Sequence, residues 1–250
     1  ERHMKYNIII TAGGTSEKID NVRKITNSGS GRLGCMIANK FIEMQEEGIH
    51  KIYYVCAKDS FKPKHSKIEV IEIVDTKDLQ NTITRLLINN TIHFFIHSMA
   101  VSDYTVDYVT TAEKLAENIE KHKEENILDV ICHYPFGLKE NKISSSEEHL
   151  MIKLKKTPKI ISMIKTISPK TYLVGFKLLD QVSKETLINT ALRLKEKNHC
   201  DLVVANDLES IREGKHQAFI IKTKEEYIKA CGKEEIARML IKEMIQNDGV

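Results

Sequence analysis

The segment that most limits the fold runs from Tyr6 to Gly34. An apolar run, Tyr6-Asn7-Ile8-Ile9-Ile10-Thr11-Ala12, ends on Gly13-Gly14. A polar stretch then leads to Gly29-Ser30-Gly31-Arg32-Leu33-Gly34. A strand with apolar residues in succession, rather than at every second position, belongs inside a sheet covered on both faces. Beyond Gly34, the residues Ile37, Ala38, Phe41 and Ile42 recur at helical spacing until Gly48. Two glycine-rich turns, one closing a strand and one opening a helix, let backbone N–H groups approach an anion at the positive end of the helix dipole. The segment therefore calls for an α/β fold with a phosphate site at its sheet edge.

The rest of the chain extends this pattern. Strands are predicted at Ile52–Ala57 and, after a loop over Lys58–Lys67, at Ile68–Val74. Asp75-Thr76 caps a helix carrying Leu79, Ile83, Leu86 and Leu87, and His93–Ser98 is the next strand. This β-α-β-β-α-β order predicts a three-layer α/β sandwich with a mainly parallel central sheet and right-handed crossovers. Downstream, Ala112–Asn126 reads as a charged helix or a mobile excursion, Glu140–Glu148 as a serine-rich loop and Leu150–Leu154 as an edge strand. Pro158 opens a short helix, Leu173–Phe176 is a buried strand, and Ser183 caps a helix with Leu187, Ala191 and Leu194 on one face. Leu202–Ala205 is a core strand, Ala218–Lys222 and Tyr227–Ala230 form a hairpin, and Glu234–Gln246 is a closing helix. No internal repeat or low-complexity linker interrupts the chain, which predicts one domain over residues 4–250 with an inserted segment at 105–150. Residues 1–3, ahead of Met4, read as an expression remnant.

Composition excludes several classes. The 38 Lys and Arg and 35 Asp and Glu give a net charge of +3, and the signs are interleaved, so no basic face for nucleic acid emerges. Cys35, Cys56, Cys132, Cys200 and Cys231 show neither a CxxC pair nor Cys/His ligand spacing, and an odd, scattered set reads as reduced thiols. No apolar run approaches the ~18 residues that span a bilayer. The expectation is a soluble, cytoplasmic globular protein with neither nucleic-acid nor membrane partners.

Several positions carry possible chemistry beside a plainer reading. Gly29-x-Gly31-x-x-Gly34 matches the dinucleotide fingerprint as a string, but the fingerprint should follow its strand directly, whereas Gly29 stands seventeen positions after Ala12. Asp103 follows strand His93–Ser98 at the edge where open α/β sheets bind ligands, or simply forms a turn. Lys142 sits in the serine-rich loop, Arg193 and Lys197 share one helix face, and His97 at a strand end reads as packed rather than catalytic. No Ser/His/Asp grouping, HExxH or P-loop is present. The Tyr-x-x-x-Lys pair of short-chain reductases is also missing: four residues after Tyr104 and Tyr108 come Tyr108 and Ala112.

Taken together, Thr11–Gly34 (TAGGTSEKIDNVRKITNSGSGRLG) resembles the signature of the phosphopantothenate–cysteine ligases, also called phosphopantothenoylcysteine synthetases. MAVSDY (99–104), ENKIS (140–144) with KKTPKI (155–160), VGFKLL (174–179) and DLVVANDLES (201–210) follow in the same order. The resemblance covers nearly the whole chain and is to the monofunctional form, without the flavin-dependent decarboxylase half. It implies a Rossmann-like homodimer with an inserted dimerisation and lid segment. The implied reaction joins 4′-phosphopantothenate to L-cysteine in the second step of coenzyme A synthesis. CTP is the expected nucleotide and ATP the alternative, with Mg²⁺ bound through the phosphates and no protein ligands assignable to the metal.

By the same resemblance Asn27 contacts the activated pantothenoyl group, and Lys142 belongs to a mobile lid closing on the nucleotide. Gly13, Gly14, Gly29, Gly31 and Gly34 cradle phosphates. Met99, Ala100 and Asp103 lie against phosphopantothenate, and Met99 and Asp103 also against the nucleotide. Pro158, Lys159, Ile160, Ile161, Phe176 and Asn206 surround base and ribose, while Arg193 and Lys197 reach the nucleotide as cations. Three positions depart from the pattern: Gly29 replaces the usual Ser, Thr105 the common Arg, and Phe176-Lys177-Leu178-Leu179 a Phe-Ala-Ala-Glu-Thr run. Residues 105–140 match nothing recognisable. Two other readings remain: a nicotinamide-dependent reductase using Gly29–Gly34, and a non-catalytic nucleotide-binding module. The missing Tyr-x-x-x-Lys pair opposes the first, and the presence of both Asn27 and Lys142 opposes the second.

Overall fold

Ile8, Ile9, Ile10 and Ala12 of β1 (Tyr6–Ala12) are all fully or almost fully buried, because the strand has neighbours on both edges and helices on both faces. In this computed structural model, which describes residues 5–133, 137–138 and 141–247, β1 pairs in parallel with β4 (Ile49–Ala57) on one side and β6 (Phe94–His97) on the other. β5 (Ile68–Ile73) extends the sheet beyond β4. Beyond β6 come β9 (Tyr172–Leu179) and β10 (Leu202–Asp207), all parallel. The hairpin of β11 (Gln217–Ile221) and β12 (Tyr227–Cys231) closes that edge with antiparallel pairing, giving the order β12-β11-β10-β9-β6-β1-β4-β5. The expected Rossmann-like, mainly parallel α/β sandwich is therefore the fold observed.

Two apolar clusters fill the two faces. On one, α1 (Arg32–Gln45) and α8 (Lys233–Asn247) pack Ile37, Phe41, Ile236 and Leu240 against Ile8, Ile10 and Ile96. On the other lie α2 (Thr76–Asn89), α5 (Ile160–Ile167) and α6 (Lys184–Asn198). They bury Leu79, Ile83, Ile160, Ile164 and Ala191 against Ile9, Phe95 and Leu173. The N-caps foreseen in the sequence are formed: Asp75 accepts from the Asp78 N–H, and Ser183 from the Thr186 N–H.

The middle of the chain leaves the sheet. β7 (Tyr104–Thr111) and β8 (Leu150–Lys156) form an antiparallel two-stranded ribbon joined by α3 (Ala112–Lys121) and α4 (Ile127–Cys132). Leu150–Leu154 is thus a strand of this ribbon rather than an edge of the main sheet. A small hairpin, β2 (Ser16–Lys18) with β3 (Lys24–Thr26), fills the polar stretch between the two glycine turns. A short helix, α7 (Leu208–Arg212), follows β10. Residues 1–3, read as a remnant, and Glu140, the first residue of the serine-rich loop, lie outside the described residues.

Candidate active site

Parallel α/β sheets bind ligands at the carboxyl ends of their strands, where the strand order reverses. Here the chain runs outward from β1 through β4 and β5, then returns to β6 on the other side of β1, so the reversal lies between β1 and β6. The loops leaving these two strands are joined by backbone contacts: the Ala100 N–H donates to the Gly13 carbonyl at 2.8 Å, and the Thr15 N–H to the Ala100 carbonyl at 3.1 Å. Above them opens a cleft of about 670 Å³.

The glycine turns form one wall. Gly13 has φ +85°, and a Cβ there would meet the Ser60 hydroxyl at 2.0 Å. A Cβ on Gly14 would lie 1.9 Å from the Asn27 carbonyl oxygen, and one on Gly29 would lie 2.6 Å from the Gly13 carbonyl oxygen. The two turns are therefore stacked backbone on backbone. Gly29, where the resembling sequences carry Ser, permits that contact. Ser30 Oγ accepts from the Arg32 N–H at 3.3 Å, while Gly31 at φ 74° is the N-cap of α1 and has no side chain to cap it. Its first-turn residues Arg32, Leu33 and Gly34 line the cleft, so the positive end of a 14-residue helix faces it. Tyr54, fully buried, supports the turn from beneath by donating to the carbonyls of Gly31 and Phe61.

Asn27 follows β3 and is fixed through its backbone N–H, which donates to the Thr15 carbonyl at 3.0 Å. Its side chain lines the cleft and has no partner among the described residues. Met99, Ala100 and Asp103 line the facing loop, and Asp103 is ion-paired with Lys159. Pro158, Ile160 and Ile161 supply an apolar wall, Phe176 lines the cleft from the opposite face of the sheet, and Asn206 also lines it. Asn206 Nδ2 lies 3.3 Å from His216 Nε2, and burial holds the His216 imidazole below its usual pKa.

The structure thus gathers Gly13, Asn27, Gly29, Gly31, Gly34, Met99, Ala100, Asp103, Pro158, Lys159, Ile160, Ile161, Phe176 and Asn206 around one cleft. Gly14 lines a separate recess of about 230 Å³ behind the same turns. Lys142, Arg193 and Lys197 do not line the cleft, and all three are exposed. On α6 it is Leu194, not Arg193, that faces inward. The residues beside Lys142 are tied to the small hairpin. The Asn141 carbonyl accepts from the Asn21 N–H, and the Ile143 N–H donates to Asp20, whose carboxylate also accepts from the N–H groups of Val22 and Arg23. Burial pushes the Asp20 pKa up, but those N–H groups and the Arg23 guanidinium outweigh it and bring it down to about 2.

Three cations line the cleft that were given no role in the sequence reading: Arg32, Lys177 and Lys233. Arg32 stacks over the Phe61 ring at 4.4 Å. Its place just inside a glycine-started helix was a signal available in the sequence. Among the described residues no group of three or more His, Cys, Asp or Glu is placed to hold a metal. No helix among them is long and apolar enough to cross a membrane.

A model of the DNA/pantothenate metabolism flavoprotein C-terminal domain matches residues 4–134 and again residues 108–247. The chain belongs to this family. The crystal structure of the DNA/pantothenate metabolism flavoprotein from Streptococcus pneumoniae is 36% identical, with a TM-score of 0.80 over 98% of this chain and 99% of that one. The coenzyme A biosynthesis bifunctional protein CoaBC of Thermococcus kodakarensis is 29% identical over 214 residues, which is 86% of this chain and 44% of that protein. The chain spans about half the length of the curated relatives it matches. A Cab2 variant in complex with phosphopantothenate-cysteine shares the fold, with a TM-score of 0.66 at 17% identity over 97% of this chain and 86% of that one.

Proposed function

We propose that the chain joins 4′-phosphopantothenate to L-cysteine through an acyl-nucleotide, the second step of coenzyme A biosynthesis, in the cytoplasm. The observation that carries this reading is one cleft holding a helix N-terminus with a glycine N-cap, the unpaired amide of Asn27 and a carboxylate already matched by a lysine. A carboxylate is a poor electrophile and must be activated. Its oxygen attacks the α-phosphorus of a nucleoside triphosphate, and pyrophosphate leaves. The cysteine amine then attacks the acyl carbon, the nucleoside monophosphate leaves, and the amine gives up a proton.

Both steps concentrate negative charge, which preorganised donors offset. The first-turn N–H groups of α1 and the cations Arg32, Lys177 and Lys233 face the phosphates. Asn27 is placed to donate to the acyl oxygen without adding a charge that would compete for them. Asp103 is the one carboxylate among the lining residues and is engaged by Lys159, so this donor set fits Mg²⁺ carried on the triphosphate rather than caged by protein. When bound, that ion supplies further neutralisation of the phosphates. CTP is the proposed nucleotide, with ATP the alternative.

Lys142 is proposed to reach the phosphates by swinging its side chain, since its neighbours are anchored. Arg193 and Lys197 could act on the nucleotide after a comparable movement. A homodimer is proposed through the ribbon and α4, where Tyr104, Ile127, Leu128, Met151 and Leu154 are 40% to 66% exposed.

The test is an assay with phosphopantothenate, cysteine and Mg²⁺, with CTP or ATP. Release of CMP or AMP together with phosphopantothenoylcysteine is the expected result. Absence of turnover with both nucleotides removes the reading.

A further inference from the structure

Beneath the cleft, His97 at the carboxyl end of β6 is 8% exposed and belongs to the lining. Its ring stands edge-on to Phe95, with centroids 5.9 Å apart. Its Nδ1 lies 2.8 Å from Thr11 Oγ1, and the same hydroxyl oxygen accepts from the Met99 N–H at 3.2 Å. Thr11 is completely buried, with no further side-chain partner among the described residues.

Accounting for the hydroxyl proton settles the tautomer. If His97 Nδ1 carried the proton, Thr11 Oγ1 would receive two donors and its own O–H would point at nothing in a sealed environment. Such an unmade bond is costly. With the O–H donated to Nδ1, both Thr11 Oγ1 and His97 Nδ1 are satisfied, and the imidazole proton sits on Nε2. Burial also holds the ring's pKa down at about 4, so it is neutral under ordinary conditions. The buried side-chain nitrogens and oxygens without partners are Asn7 Oδ1, Ser60 Oγ and His216 Nδ1 among the described residues. His97 Nε2 is not one of them, nor does it have a protein partner. It opens on the cleft.

We infer that His97 is a ligand-binding residue, offering a neutral Nε2–H donor to an acceptor atom of the nucleoside part of the bound nucleotide, with Thr11 the positioning residue that fixes its tautomer. The inference rests on the ligase reading of the cleft. His97 follows the same loop origin as Met99 and Ala100, but its side chain lies on the sheet face covered by α5. It therefore sits between the phosphate-facing start of α1 and the apolar wall of Pro158, Ile160 and Ile161. A nucleotide with phosphates at the helix end and its base on that wall crosses the end of β6. An uncharged donor there suits a carbonyl oxygen, ring nitrogen or ribose oxygen, and it leaves the phosphate charge to the cations.

Imidazole ¹⁵N NMR on the full chain tests this, with Mg·CTP and Mg·ATP as probes. The expected result is an Nε2–H tautomer in the free protein, lost in Thr11→Val, and an Nε2–H resonance that moves on nucleotide addition. His97→Phe should weaken nucleotide binding about tenfold in calorimetry, as loss of one hydrogen bond does, with phosphopantothenate affinity unchanged. His97→Gln, which keeps a donor, should restore part of it. An Nδ1–H tautomer, an unmoved resonance while nucleotide binds, or equal nucleotide affinity in His97→Phe overturns the inference alone. Failure of the wild-type protein to bind either nucleotide overturns the inference and the ligase reading together.

Discussion

Gly14→Ala isolates the contribution of the stacked turns to the chemistry. The added Cβ would stand 1.9 Å from the Asn27 carbonyl oxygen and 2.9 Å from its carbonyl carbon. Ordinary contact begins near ~3.4 Å, so one backbone must retreat by more than about 1 Å. Gly14 is the less able to move, because it is bridged to Ala100, and its neighbours Gly13 and Thr15 hold the same loop at 2.8 and 3.1 Å. Asn27 hangs from a single backbone bond to Thr15 and follows a three-residue strand, so it is the residue displaced. A catalytic group misplaced by about 1 Å loses on the order of 10²-fold in rate, or about 2.7 kcal/mol of transition-state stabilisation. The assay is steady-state formation of phosphopantothenoylcysteine beside calorimetric binding of the nucleotide. The expected result is a kcat reduced about 10²-fold with nucleotide affinity changed far less. A wild-type kcat in a folded Gly14→Ala protein would show that the amide of Asn27 does not act where this geometry puts it.

Asn27→Ala removes the amide without moving backbone, and should abolish ligation while acyl-nucleotide still forms; pyrophosphate release without dipeptide-like product is the readout. Lys142→Gln should lower kcat/KM by about 10², the loss of one preorganised donor, and an unchanged value would place the phosphate-closing cation elsewhere. For His97, the unfolded chain binds the proton near pH 6.5 and the folded chain near 4, so stability falls as pH drops through that window. The loss is about 2 kcal/mol between about pH 7 and pH 5, and urea titrations of wild type and His97→Phe should diverge by that amount. Breaking the exposed Asp103–Lys159 pair with Asp103→Asn should shift stability by less than about 1 kcal/mol, read as a small change in Tm, because water screens such pairs.

The main sheet was legible because its strands are buried on both faces and so spell continuous apolar runs, as in Ile8-Ile9-Ile10 and Phe94-Phe95-Ile96. β7 was missed for the opposite reason. Tyr-Thr-Val-Asp-Tyr-Val-Thr-Thr is rich in strand formers, but five of its eight positions are not buried, and the three buried ones are consecutive, so no apolar period marks it. The three-residue strands of the small hairpin are too short for any periodicity, and their pairing depends on the turn held by Asp20, a contact with Ile143 across 123 positions of sequence. The cleft's loop residues were legible as a resemblance carried by motifs, since a loop leaving a strand end keeps its place whatever surrounds it.

Helix faces were less legible than loops, and the cations expected at the nucleotide show why. Arg193 and Lys197 are an i,i+4 pair and do share a face of α6, but one turn's phase decides whether that face meets the cleft or water. The sheet settles the phase: Leu187, Ile188 and Ala191 must face Leu173 and Val203, which turns Leu194 toward the cleft and leaves Arg193 and Lys197 outside. The cations that do line the cleft are side chains whose positions depend on strands and helix starts. Lys177 lies on β9, two residues after Gly175, which pairs with His97, while Arg32 and Lys233 open α1 and α8 on the other face of the sheet. These three approach the cleft from separate elements, so no sequence window contains them together. If they carry the phosphates, single changes such as Lys177→Gln and Lys233→Gln should each raise the KM for nucleotide, whereas Arg193→Gln should leave it unchanged unless α6 moves. Equal effects of all three changes would mean that the nucleotide-bound cleft recruits the outer face of α6.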